Sequence, residues 1–159
     1  MIDLVTKSAD DTRAAAAELA PLARAGDLLV LAGDLGSGKT AFVQGFARGL
    51  GVEEQVTSPA FVLVRTYDAP LPLVHLDVYR LEHLQELVDL GIAELLDDGA
   101  VTVIEWGDVV APALPADFLE IRFDVGESED ERRLVLRSVG PSWPPRLARL
   151  RRALDRWVA

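Results

Sequence analysis

The stretch Gly33-Asp34-Leu35-Gly36-Ser37-Gly38-Lys39-Thr40 satisfies the pattern G-x-x-x-x-G-K-[ST] at every fixed position. Three glycines let the backbone curl tightly enough for successive amide N–H groups to converge on a phosphate, and the helix that follows points its positive dipole end at the same place. Lys39 is placed to neutralise the β and γ phosphates, and the Thr40 hydroxyl to reach Mg²⁺. The motif needs a strand before it and a helix after it. Asp27 to Ala32 reads as a buried strand and Ala41 to Leu50 as a helix, so nucleoside triphosphate chemistry is the leading expectation.

The chain has 159 residues, half of them hydrophobic. That is enough for one sizeable core and too little for two typical domains, so residues 1–159 are expected to form a single α/β domain. No apolar run approaches the roughly 20 residues needed to cross a bilayer, and Met1-Ile2-Asp3-Leu4 lacks the basic start of a signal peptide. There is no cysteine, hence no disulfide framework and no thiol chemistry. A soluble cytoplasmic protein without a membrane partner is expected. The net charge of −10 argues against broad electrostatic binding to nucleic acid.

Along the chain, Ser8 to Asp11 offers capping residues for an alanine-rich helix from Thr12 to Ala25, closed by Gly26. Phe42, Phe46 and Leu50 share a face of a helix spanning Lys39 to Leu50, with Gly51 as its stop. Phe61 to Tyr67 and Leu73 to Val78 read as a hairpin around Asp68-Ala69-Pro70-Leu71-Pro72. Leu81 to Leu96 is helical in composition, interrupted at Gly91. Val101 to Ile104 is a short apolar strand of the kind found centrally in parallel sheets. Phe118 to Val125 and Arg132 to Val139 alternate as two strands about an acidic turn, and a final helix is predicted from Arg146 to Val158. The order implies a mixed central sheet flanked by helices, with nucleotide at the carboxyl ends of its central strands.

Three clusters accompany the loop. Glu105 follows the short apolar strand, where a second carboxylate for Mg²⁺ emerges in phosphate-loop proteins, and Trp106 beside it either packs on the nucleotide or fills the core. His75, Asp77 and Tyr79 alternate onto one face if their segment is extended. Asp77 is the candidate base or water-orienting group, whereas His75 alone reads as an exposed histidine on a solvated strand face. Thr57-Ser58-Pro59 lies where switch proteins carry a γ-phosphate-sensing segment, although an ordinary proline turn explains the same residues.

Taken together these stretches resemble the TsaE (YjeE) family, small ATPases of bacterial tRNA threonylcarbamoyladenosine biosynthesis. The resemblance rests on the phosphate loop, on Val56-Thr57-Ser58-Pro59 with Phe61, on His75-Leu76-Asp77-Val78-Tyr79-Arg80-Leu81, on Glu86 to Glu94 around Leu90-Gly91, and on Ile104-Glu105-Trp106. It implies ATP and Mg²⁺ as cofactors, with Lys39 on phosphate, Thr40 and Glu105 on the metal, Asp77 as the essential aspartate, and Thr57 and Ser58 as switch residues. It further implies an accessory ATPase. ATP binding would favour assembly with a two-protein threonylcarbamoyl-transferase complex of the TsaB and TsaD type, tRNA would be reached through that complex, and hydrolysis would reset it. Ala60, where the family pattern usually has a second threonine, and Gly107-Asp108 after Glu-Trp depart from the pattern.

A small-metabolite kinase is the alternative. It calls for a mobile arginine-bearing lid, and no segment of the usual length is visible. A GTPase is disfavoured because the chain has no asparagine, and neither Lys7 nor Lys39 precedes an aspartate by two residues, so [NT]-K-x-D is absent. Arg146, Arg149, Arg151, Arg152 and Arg156 make the C-terminal end basic and open to tRNA or an acidic partner. The leucine periodicity favours a solvated helix face with Leu147, Leu150, Leu154 and Trp157 packed inward.

Overall fold

The computed structural model describes residues 1–34, 36–57, 64–78, 85, 89, 96, 99–105 and 114–159. At its centre is β2 (Leu28–Ala32), all five residues of which are buried. It pairs in parallel with β5 (Val101–Glu105) on one edge and β6 (Phe118–Val125) on the other, and its apolar run has no alternation because both faces are buried, Leu29 and Leu31 in one cluster and Leu28 and Val30 in another. Among the described residues seven strands form one mixed sheet in the order β1-β7-β6-β2-β5-β4-β3. β3 (Val64–Tyr67) and β4 (Leu73–Asp77) make the antiparallel hairpin at one edge, and β4 runs parallel to β5. β7 (Arg132–Val139) returns antiparallel along β6, and β1 (Ile2–Thr6) closes the other edge antiparallel to β7. The chain passes from β5 to β6 across β2, so the strand order reverses at the strand that leads into the phosphate loop.

Helices α1 (Ala9–Leu19), α2 (Lys39–Leu50) and α3 (Leu147–Ala153) pack on one face of the sheet, in a core that joins Leu29, Leu31 and Val103 to Phe42, Phe46 and Leu150. On the opposite face Leu28, Val30, Leu76, Ile104, Leu114 and Phe118 form a smaller cluster. The alanine-rich α1 lies against α2 at glycines: a β-carbon on Gly45 would sit 2.1 Å from the Arg13 carbonyl oxygen, and one on Gly49 would sit 2.6 Å from the Ala20 β-carbon. That close approach packs α2, which follows the phosphate loop, directly against α1.

The ends of α2, and both strands of the β6–β7 hairpin, fall where the sequence places them. Gly51 stops α2 in a left-handed conformation (φ 94°). Other expectations change. β1 was not foreseen, because its two buried apolar residues, Ile2 and Leu4, lie in a short strand whose ladder partner is the distant β7. The first helix starts at Ala9, capped by the Ser8 hydroxyl, and becomes a 3-10 turn at Ala20–Leu22, since Pro21 cannot donate to Ala17. The last helix is shorter than expected. A 3-10 turn at Pro144–Arg146 precedes α3, and a second at Asp155–Trp157 follows it, where the Trp157 indole N–H donates to Asp11 (2.7 Å) and Val158 bridges to Leu4.

Arg146 is also not part of a solvated face. It is buried, donates to both carboxylate oxygens of Asp27 (2.6 and 2.9 Å) and to the Leu22 carbonyl (2.9 Å), and lies over the Trp143 ring. Arg149, Arg151, Arg152 and Arg156 are exposed, while Leu150, Leu154 and Trp157 point into the core. Tyr79, Phe61 to Leu63 and most of Leu81 to Leu96 lie outside the described residues, as do Ala60 and Gly107-Asp108.

Candidate nucleotide site

The loop between β2 and α2 adopts the conformation that its glycines permit. Gly38, with φ 106°, forms the left-handed N-cap of α2, a position a side chain would strain. Gly33 (φ 148°) is needed for space as well, because a β-carbon there would stand 2.8 Å from both the Phe123 carbonyl oxygen and the Ser37 hydroxyl. Lys39 is 4 % exposed, and its ammonium donates to the carbonyl oxygens of Gly33 (2.5 Å) and Asp34 (2.9 Å). The positive charge is therefore held over the mouth of the loop. Thr40, in the first turn of α2, is half-buried.

The sheet brings the two candidate carboxylates to this loop. Leu31 is in register with Glu105, and Glu105 with Asp77, at the carboxyl ends of three adjacent parallel strands. Alternation decides the face. Leu29, Leu31, Val101, Val103 and Leu73 belong to the core under α2, so Glu105 and Asp77, an even number of residues along the same strands, face the α2 side as well. Both are buried, Glu105 at 3 % and Asp77 at 4 % exposure.

His75 corrects the expectation of an exposed histidine. It is completely buried, and its Nε2 lies 2.6 Å from Oε2 of Glu105. The alternation of His75 with Asp77 was legible, but the burial of that face was not. Arg132 is a residue that the sequence did not single out: it starts β7 and reaches back to donate to the Gly36 carbonyl at 3.3 Å. Ahead of the candidate switch, the Gln44 amide donates to the Val56 carbonyl (3.1 Å) and accepts from Arg13 (3.0 Å), linking α1, α2 and the segment that ends at the exposed Thr57. Leu35, Ser58 and Trp106 lie outside the described residues.

These side chains suit a magnesium nucleotide. The Ser37 hydroxyl is buried in the loop with no hydrogen-bond partner among the described residues, a donor that a phosphate oxygen would satisfy. One hydroxyl, Thr40, and one carboxylate, Glu105, are too few for a free-standing metal cage. Among the described residues no group of three or more histidine or acidic side chains is arranged to hold a metal. Mg²⁺ commonly takes one or two protein ligands and completes its octahedron from phosphates and water. The fit is therefore to a metal that arrives with its nucleotide.

Residues 6–134 match the family model for TsaE, the threonylcarbamoyl adenosine biosynthesis protein. The chain belongs to the TsaE family. It is 41 % identical over 136 residues to the tRNA threonylcarbamoyladenosine biosynthesis protein TsaE of Bacillus subtilis, covering 85 % of this chain and 84 % of that one. The TsaE protein of Streptomyces coelicolor is 45 % identical over 133 residues, covering 79 % and 88 %. The crystal structure of Bacillus subtilis YdiB superimposes with a TM-score of 0.78 at 34 % identity, over 98 % of this chain and 97 % of that one. Membership agrees with the mixed α/β sheet found here. The described residues contain no helix long and apolar enough to cross a membrane.

Proposed function

We propose that this TsaE-family protein is a Mg²⁺-dependent ATPase that operates as a switch in tRNA threonylcarbamoyladenosine synthesis. Its ATP-bound form joins a two-protein transferase complex of the TsaB and TsaD type, and hydrolysis resets that complex between rounds. The observation that carries this reading is the convergence of the phosphate loop, Glu105 and Asp77 at the carboxyl ends of β2, β5 and β4, on the face that carries α2.

The loop amides from Gly33 to Gly38 and the N-terminus of α2 hold the phosphates, and Lys39 supplies the countercharge. Thr40 and Glu105 hold Mg²⁺, which when bound offsets the charge of the β and γ phosphates. Asp77 orients the attacking water or accepts its proton. Thr57, with Ser58 next in sequence, carries the state of the γ-phosphate to the partners.

Calorimetry with ATP and Mg²⁺ tests the reading. The parent should bind, and Lys39→Ala should weaken binding at least tenfold while remaining folded, because the triphosphate loses its principal protein countercharge. Equal affinity for parent and folded variant would overturn the assignment.

A further inference from the structure

We propose that His75 is a positioning residue for the Mg²⁺ carboxylate, holding Glu105 in the orientation that binds the metal; the inference rests on the nucleotide reading above. His75 is completely buried, and Nε2 stands 2.6 Å from Oε2 of Glu105, which is itself 3 % exposed. The two residues are offset by one alternation. His75 is in register with Val103, and Glu105 with Asp77, so the histidine sits one pleat behind the carboxylate on the same face.

A carboxylate offers only lone pairs, so Nε2 carries the hydrogen and donates. That bond occupies Oε2 and leaves Oε1 for a ligand. It also removes the rotational freedom that a glutamate at a strand end would otherwise keep. Hydrogen bonds that hold a ligating carboxylate in this way commonly alter metal affinity by about 10- to 100-fold.

Packing gives a poorer account of the pair. Nδ1 of His75 is buried with no hydrogen-bond partner among the described residues, so the imidazole carries a desolvation cost in this core. Apolar side chains of similar volume commonly replace buried polar pairs without loss of stability. Filling space therefore does not by itself call for a histidine at this position. What a leucine lacks is the donor to Glu105. Because His75 and Asp77 are two residues apart on β4, one strand then supplies both the group that aligns the metal ligand and the candidate water-orienting carboxylate.

The test compares the full-length parent, His75→Leu and His75→Gln. The leucine fills the volume without a donor, and the glutamine amide restores an N–H near the position of Nε2. Mg²⁺ is titrated into each protein with a non-hydrolysable ATP analogue, and analogue affinity is also measured in EDTA. His75→Leu should need about tenfold more Mg²⁺ for half-maximal binding, with unchanged affinity in EDTA, and His75→Gln should lie near the parent. A folded His75→Leu with the parent's Mg²⁺ requirement overturns the role, as does a folded His75→Gln that behaves like leucine. If the leucine variant does not fold, the parent decides by imidazole ¹⁵N NMR, with His83→Gln assigning the signals, since the chain has two histidines. Nε2–H of His75 should be protected and should shift when Mg²⁺ joins the protein–analogue complex; no protected Nε2–H, or no response to Mg²⁺, overturns it. A parent that binds the analogue with no Mg²⁺ dependence overturns the nucleotide reading and this inference together, whereas a Mg²⁺-dependent parent with an indifferent His75→Leu removes only the inference.

Discussion

Asp77 and Glu105 are register partners across the β4–β5 ladder, both buried and both on the α2 side of the sheet. Glu105 is bonded to His75, and on the proposed function it holds Mg²⁺ while Asp77 orients the water. Asp77→Asn should therefore bind ATP and join the partner complex, yet support one round of tRNA modification rather than many, because assembly needs the ATP-bound shape and resetting needs loss of the γ-phosphate. Product per enzyme over time, in a reconstitution with both partners and tRNA, reads this directly. Sustained turnover by the variant would return Asp77 to a structural part.

What was legible in the sequence, and what was not, divides by range. The phosphate loop, both ends of α2 and the two strands of the β6–β7 hairpin are written in local signals: glycines, a cap, and alternation over eight residues. β1 is five residues whose stability comes from β7, and no local pattern announces a partner so distant. His75 shows the same limit inside the site. Period-two alternation says that His75 and Asp77 share a face, but whether that face is wet depends on what the fold packs against it. Arg146 looked like one more cation in a helical run, and only the fold brings it to Asp27. The loop was readable by itself, whereas the meeting of Glu105, Asp77 and His75 required the β4–β5 register.

Arg146 and Asp27 form a bidentate pair with side chains 4 % and 7 % exposed. Arg146→Met should destabilise the fold by about 3–5 kcal/mol, because it strands a buried carboxylate. Adding Asp27→Asn to that variant should recover part of the loss, since the amide removes the stranded charge and can still accept from the Arg24 backbone N–H. Chemical denaturation of the two single variants and the double variant checks the cycle. Additive losses would show that the two residues act independently.

At the sheet edge Arg133 donates to both carboxylate oxygens of Asp3, joining β7 to β1. The hydrogen bond from Arg133, aided by its charge and opposed by burial, holds the Asp3 carboxyl below its ordinary value of 3.8. A group whose folded pKa is depressed stabilises the fold above the unfolded pKa, and that contribution disappears as pH falls through the folded value. The pair is largely exposed, so the effect is small and screened by salt. Asp3→Asn should unfold slightly earlier than the parent at neutral pH and low salt, and the gap should close below the ordinary carboxylate range. Thermal unfolding at the two pH values, with and without added salt, measures it; a gap that persists in acid would assign the difference to something other than this charge.

Gly45 makes the sharpest demand on packing, because replacing it should reverse the usual sign of a helix substitution. Within an exposed helix, glycine to alanine stabilises by roughly 1 kcal/mol through backbone entropy. Here a β-carbon would meet the Arg13 carbonyl oxygen at 2.1 Å and its Cα at 2.5 Å, both backbone atoms that cannot swing aside. Relief requires α1 to move away from α2, opening a contact made along Arg13, Ala17 and Ala20. Gly45→Ala should therefore lose about 1–3 kcal/mol despite the better helix propensity. Gly45→Val should lose more, since its branch adds volume to the same contact. Denaturant midpoints for parent, Gly45→Ala and Gly45→Val give the order. An alanine variant at or above the parent would mean that the two helices separate at little cost.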